Sequence, residues 1–293
     1  MKQRIGFIGV GLMGNPLARN LISAGYSVIA HDIDRNKVEA IVKAGGKRVA
    51  SPADIPSQVD VIILSLVSAE AVNDVVRNSL RLFETRREGL VVLDASTIDS
   101  KASVALASEL RAVGIEMLDS TVSGSPAMCA ARENIFMVGG RKEVFQQCEP
   151  IFAAMSKEHV YVGENGKGIE TKLVVNLVLS MHYMALAEGL TLARKAGLDE
   201  GQTLNVLKKS AAYSKAMDMK GERMVKGQFL PAIGKQDLYM KDIQLILALG
   251  ARLNCPLPLI SLNAQAVASE LSKGRADWDN SSIISFYSEL ANV

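Results

Sequence analysis

Cysteine, aromatic residues and any excess of one charge are all scarce in this chain of 293 residues. The three cysteines (Cys129, Cys148 and Cys255) are odd in number, widely spaced and without a CxxC pair. That pattern excludes a disulfide framework and a thiolate zinc site, and predicts buried thiols in a reducing compartment. Aromatics make up 5% of the residues, too few for the stacking platforms of a single-strand binder. Lysine and arginine number 33 against 31 aspartates and glutamates, a formal net charge of +2. No field of that size holds a polyanion, so nucleic acid is excluded as the main partner. No uninterrupted apolar run approaches the ~20 residues that cross a bilayer. Glycine also breaks the first apolar stretch too early for a signal-peptide core. A cytoplasmic protein with no membrane partner is therefore expected. The three histidines (His31, His159 and His182) show no ligand spacing, so no metal is expected, and His182 is expected in the core.

What is present is 48% hydrophobic residues, ordinary for a globular chain and incompatible with wholesale disorder. The length suits roughly two domains of ~150 residues. Short, continuous apolar runs at 4–10, 26–31, 59–66 and 90–94 alternate with amphipathic stretches such as 15–24 and 37–44. Continuous rather than alternating apolar strands imply burial on both faces, the mark of a parallel sheet covered by helices. Further runs at 116–119, 135–139 and 160–162 would extend that sheet. Residues 1–163 thus read as a doubly wound, Rossmann-type α/β domain. Residues 164–293 read as an all-α domain, with helices over 200–212, 238–252 and 259–274. Between them, 168–198 reads as one helix of about 30 residues and roughly 45 Å, a connector joining the two domains.

Gly9-Val10-Gly11-Leu12-Met13-Gly14 is a GxGxxG that follows a strand and opens a helix. The first glycine makes the tight turn, the second admits a pyrophosphate to the backbone, and the third allows helix and strand to pack closely. Asp32 falls at the end of the second strand, where a carboxylate accepts bonds from the adenosine ribose hydroxyls. A glycine turn in some other α/β sheet is the competing reading. The Asp32 carboxylate would repel the 2′-phosphate of NADP, and Ile33 follows rather than a phosphate-binding arginine, so NAD is favoured with NADP as the alternative. Arg35 and Lys37 lie nearby and read as solvated side chains at a helix start.

Lys172 and Asn176 stand four apart and so project from one helical face. Their neighbours Leu173, Val174, Val175, Leu177 and Val178 are apolar, which predicts a largely buried stretch. Burial lowers an amine from its usual ~10.4 toward neutrality, the condition for a general acid near neutral pH. A lysine snorkelling at the helix entrance, beside Gly166 and Gly168, is the alternative.

With these residues in hand the chain resembles the β-hydroxyacid dehydrogenases over nearly its whole length. IGFIGVGLMGNPLARNL looks like the opening signature of that family, and DASTID like its third cofactor loop. DSTVSGSPAMCAARENIFMVGG is similar to its substrate loop, GKGIETKLVVN to its catalytic helix, and LYMKDIQLILALGARLNCPLPL to its C-terminal Lys-Asp motif. The resemblance implies that Lys172 is the acid/base and Asn176 its hydrogen-bonding helper. It implies that Ser123, Gly124 and Ser125 grip a substrate carboxylate, and that Leu66, Val67, Thr97 and Lys241 border the nicotinamide, with Gly9, Gly11, Leu12, Met13, Gly14 and Asp32 holding the rest of the cofactor. The expected activity is hydride transfer between a nicotinamide and a short β-hydroxy acid or its semialdehyde, such as 3-hydroxyisobutyrate or tartronate semialdehyde/glycerate.

There are departures. Thr121 stands where the family commonly has proline, Ser125 replaces a second glycine, and Val175 replaces an asparagine. An extra hydroxyl at Ser125 would favour a polar substituent on the substrate. KLVVN looks closest to the semialdehyde reductases, whereas Asp32-Ile33 replaces their asparagine-arginine pair. A non-catalytic cofactor-binding scaffold and an imine-reducing relative are the alternatives, and Lys172 argues against both. A 6-phosphogluconate dehydrogenase would need a longer helical domain. The apolar helices, and the resemblance, imply a homodimer or homotetramer. Trp278, the single tryptophan, is expected in ordinary packing.

Overall fold

The computed structural model describes residues 2–85 and 87–293. The chain divides into two compact units, Met1–Lys172 and Leu173–Val293. In order, the first unit holds β1 (Ile5–Ile8), α1 (Gly14–Ser23), β2 (Val28–His31), α2 (Arg35–Lys43), β3 (Lys47–Arg48), α3 (Ile55–Gln58), β4 (Val61–Leu64) and α4 (Ala69–Asp74). There follow α5 (Leu82–Thr85), β5 (Val91–Asp94), α6 (Ser100–Ala112), β6 (Glu116–Ser123), α7 (Pro126–Ala130), β7 (Ile135–Gly139), α8 (Lys142–Met155) and β8 (Glu158–Gly163). Helix α9 (Lys167–Lys195) runs across the boundary at Lys172. The second unit continues with α10 (Glu200–Lys209), α11 (Lys215–Lys226), α12 (Gln236–Arg252), α13 (Pro258–Ser272) and α14 (Ile283–Ala291).

The strands make one eight-stranded sheet in the order β3-β2-β1-β4-β5-β6-β7-β8. Every residue of β1, β4 and β5 is buried, as continuous apolar runs require of a sheet covered on both faces. The order reverses beside β1, with β2 to one side and β4 to the other. That is the switch point where open α/β sheets leave a crevice at the carboxyl ends of their strands.

The expectation of a parallel sheet needs one correction. β6 and β7 pair antiparallel, Ser123 opposite Ile135, and β8 then runs parallel to β7. Only the short α7 separates β6 from β7, too little chain for a crossover back to the starting edge, while α8 supplies such a crossover to β8. In this half of the core Phe136, Phe145 and Phe152 pack with ring centroids 5.3–5.9 Å apart.

In the helical unit, α11 and α14 were not foreseen from the sequence. α11 carries Gly221 in its interior, and a Cβ there would stand 2.6 Å from the Leu204 side chain. The glycine lowers helix propensity but lets α10 approach closely. A buried ion pair ties the unit together: Lys220 lies 2.7 Å from Asp279, which also accepts from the Ile233, Gly234 and Ser281 backbone amides. Trp278 stacks on Phe229 at 5.4 Å with Arg275 over its ring, the ordinary packing expected.

Three expectations about burial are corrected. Val174 and Val178 are 59% and 47% exposed rather than buried, because α9 turns one apolar face outward. His182 is exposed on the same helix rather than in the core. Cys255 is exposed too, whereas Cys129 and Cys148 are buried thiols. At 29 residues α9 is also long and apolar enough to cross a bilayer by length and composition alone. Its first turn is nevertheless bonded into a β-sheet.

Candidate active site

Within the first unit, the residues singled out from the sequence gather on one edge of the sheet. Gly9 follows β1, Asp32 follows β2, Leu66 and Val67 follow β4, Thr97 follows β5, and Ser123 ends β6 with Gly124 and Ser125 just beyond it. These strands are mutually parallel, so all the sites lie at their carboxyl ends.

The three glycines behave as the motif demands. Gly9 has φ +85°, and a Cβ on it would meet the Ser65 carbonyl oxygen at 2.3 Å. A Cβ on Gly14 would meet the Gly9 carbonyl oxygen at 2.0 Å, so α1 packs directly on the turn. Apart from its own chain neighbours, no atom of the described residues lies within 4 Å of a Cβ built on Gly11, which leaves the open approach a pyrophosphate needs. Leu12 and Val67 are each 64% exposed apolar side chains on this edge, and Met13 is half-buried against the core.

Asp32 is held by its own surroundings. Oδ2 accepts from the Val10 amide and Oδ1 from the Asp34 amide, both at 2.9 Å. Lys37 stands 3.8 Å away, which makes it a partner of Asp32 rather than a purely solvated side chain. A pocket of about 710 Å³ opens here, lined by His31, Asp32, Ile33, Arg35, Glu39 and Arg48. Burial pushes the His31 pKa below its ordinary value. The open Gly11 turn, the fixed carboxylate and this pocket fit the pyrophosphate and adenosine of a nicotinamide dinucleotide.

On the far side of the switch point, Ser96 links two loops. Its hydroxyl accepts from the Leu66 amide at 2.9 Å, and its own amide donates to Asp94. The β4 and β5 loops that carry Leu66, Val67 and Thr97 are therefore tied together.

β6 then organises the start of α9. Asp119 Oδ1 accepts from the Gly166 amide at 2.8 Å and Oδ2 from the Ile169 amide at 2.9 Å. A carboxylate from a distant strand thus satisfies amides that a helix N-terminus leaves unpaired. The Thr121 hydroxyl donates to the Gly168 carbonyl at 2.9 Å, a bond that proline at that position has no group to make. Gly168 lies so close that a Cβ would stand 2.5 Å from the Asp119 carbonyl oxygen. One turn later comes Lys172, 9% exposed.

The loop after β6 turns at Gly124 (φ +153°), packed against Cβ and Cα of Asn134. Ser125 is the N-cap of α7, its Oγ accepting from the Met128 amide at 3.2 Å. Its oxygen is thus already engaged in a helix cap.

In the helical unit, Asn176 donates to Asp242 at 2.9 Å, and Lys241 lies 3.2 Å from the same carboxylate. The Lys-Asp motif by itself does not reveal that Asp242 meets Asn176, 66 residues away. Nor does local sequence mark Asp119, whose partners lie nearly 50 residues away. Among the described residues no His, Cys, Asp and Glu cluster suited to a metal ion is found.

Residues 4–163 match the family described as the NAD binding domain of 6-phosphogluconate dehydrogenase, and residues 166–287 that described as the NAD-binding of NADP-dependent 3-hydroxyisobutyrate dehydrogenase. The 2-(hydroxymethyl)glutarate dehydrogenase of Eubacterium barkeri is 31% identical over 291 residues, 99% of this chain and 96% of that protein. The chain belongs to the β-hydroxyacid dehydrogenase family. Another member, glyoxylate/succinic semialdehyde reductase 2 of Arabidopsis thaliana, is 29% identical over 96% of this chain and 78% of its own length. The crystal structure of a 3-hydroxyisobutyrate dehydrogenase from Salmonella typhimurium superposes with a TM-score of 0.89 at 26% identity, covering 97% and 99% of the two chains. β-Hydroxyacid dehydrogenases use NAD or NADP, and the geometry of the Gly9–Gly14 turn fits either.

Proposed function

We propose that this β-hydroxyacid dehydrogenase interconverts a short β-hydroxy acid and its semialdehyde, with Lys172 as acid/base and NAD as the preferred cofactor. The observation that carries the reading is the anchoring of α9: the strand ending in Ser123-Gly124-Ser125 also holds, through Asp119 and Thr121, the turn just before Lys172. A carboxylate grip and a buried amine are thereby referred to one rigid strand, as attack geometry requires.

The nicotinamide, when bound, supplies or accepts the hydride. The Ser123 hydroxyl and the amides of Gly124 and Ser125 hold the substrate carboxylate. Lys172 gives a proton to the substrate oxygen during reduction and takes it back during oxidation. Asn176, one helical turn on, orients the groups around that oxygen. Asp32 favours NAD, since its charge opposes a 2′-phosphate. The outward apolar face of α9 supports a homodimer or homotetramer.

The test is absorbance at the NADH band across a panel of β-hydroxy acids with NAD and semialdehydes with NADH, repeated with the phosphorylated cofactors. Lys172→Ala should lower kcat by ~100-fold or more, the usual contribution of a positioned acid/base, with NADH affinity unchanged. Intact turnover in the variant would reduce Lys172 to a structural lysine. Wild-type protein that binds NADH but turns over nothing on the panel would favour a cofactor-binding scaffold.

A further inference from the structure

The Asp242 carboxylate bridges two side chains to which the resemblance gives different tasks. Oδ2 accepts from Nδ2 of Asn176 at 2.9 Å, and Oδ1 lies 3.2 Å from the Lys241 ammonium. The Asp242 side chain is 24% exposed, so both interactions are partly shielded from water and stronger than an open surface pair. The donor and acceptor are 66 residues apart, on α9 and α12.

An ionised carboxylate has no hydrogen to give. The end of Asn176 that faces Asp242 is therefore the NH2 group. Its carbonyl oxygen is then turned away from Asp242. Without that carboxylate the amide loses the partner that decides between its two orientations.

We propose that Asp242 is a positioning residue that locks Asn176 with its carbonyl oxygen presented as an acceptor, and that it holds the Lys241 ammonium at the same point. This rests on the dehydrogenase reading and adds to it the polarity of Asn176. The amide accepts from an O–H or N–H at the reacting centre, such as a substrate hydroxyl. It does not donate to the carbonyl of the oxidised substrate.

The experiment is a double-mutant cycle on kcat and KM with Asp242→Asn, Asn176→Ala and the pair, together with NADH binding by fluorescence titration. Asp242→Asn keeps an acceptor for Lys241 but lets the facing amides choose their own orientation. It should lower kcat ~10-fold or more in the wild-type background, with NADH affinity within about twofold. In the Asn176→Ala background the same substitution should change kcat by less than about twofold. Asp242→Ser is carried alongside and read in the same way, in case the asparagine variant folds poorly. Effects that simply multiply, or a lowered melting temperature with kcat per folded molecule unchanged, would overturn the assignment while leaving the dehydrogenase reading intact. A wild type that turns over no member of the panel would overturn the dehydrogenase reading, and this assignment with it.

Discussion

Asp94 closes β5 with a carboxyl group wholly out of water. The Ser96 amide donates to Oδ1 at 2.9 Å, and among the described residues Oδ2 has no hydrogen-bond partner. Burial pushes its pKa up to about 7, and Asp119, opposite it on β6, pushes the same way. The folded protein thus holds this proton more tightly than the unfolded chain, in which an aspartate titrates near 4. The stabilisation contributed by this group is therefore lost as pH rises from ~4 to ~7 and does not change above that, with a full effect of up to ~4 kcal/mol. Asp94→Asn imitates the protonated form. In urea unfolding between pH 4.5 and 8.5 the variant should gain steadily on the wild type up to about pH 7 and then run parallel to it. Parallel curves across the whole range would show that Asp94 holds no such proton. Nothing in DASTID reveals this carboxyl: Asp119 stands 25 positions further on and meets it only through the register of β5 and β6.

At the scale of the element, the start of α9 shows what a sequence can and cannot display. A helix from about residue 168 was readable from its apolar periodicity, and its observed first residue is Lys167. The bonds from Asp119 and Thr121 were not readable, because they join segments nearly 50 residues apart. Thr121 stood out only as a departure from the proline common in the family; its hydroxyl turns out to grip the helix. Local pattern also missed α11, whose interior glycine serves a tertiary contact at the expense of propensity. The close seating of α9 makes Gly168 a sensitive position. A methyl group there would meet two backbone carbonyl oxygens, of Asp119 at 2.5 Å and of Met137 at 2.7 Å, and neither can swing aside. Gly168→Ala should cost ~1–3 kcal/mol by overpacking and lower kcat by shifting the turn before Lys172, with NADH affinity kept within about twofold. Urea unfolding, steady-state kinetics and fluorescence titration read the three effects separately. Unchanged kcat would mean that the seating of this turn does not govern Lys172.

For the molecule as a whole, the two-part organisation was legible because buried strands and amphipathic helices leave different periodicities. The GxGxxG turn was legible because Gly9 and Gly14 have no room for a Cβ, while Gly11 leaves the turn open to approach. Solvent exposure was less so: Val174, Val178 and Leu192 are indistinguishable in sequence from core residues, yet they are 59%, 47% and 71% exposed. At 3.6 residues per turn the three lie within about 40° of one another around α9, so they form a stripe on one face of the helix. On α13, Leu259 and Leu262 are likewise 63% and 53% exposed. Apolar residues aligned in this way are a mark of an interaction surface, unlike the same residues scattered singly. The family resemblance makes a second copy of this chain the expected occupant. Sedimentation velocity at micromolar concentration should therefore show a dimer or tetramer, and Leu192→Arg should shift it toward the monomer by placing a charge on this apolar stripe. The circular dichroism of the variant should stay that of a folded protein, since Leu192 is mostly exposed within its own chain. A wild type that sediments as a monomer over that range would leave the stripe on α9 without a partner copy.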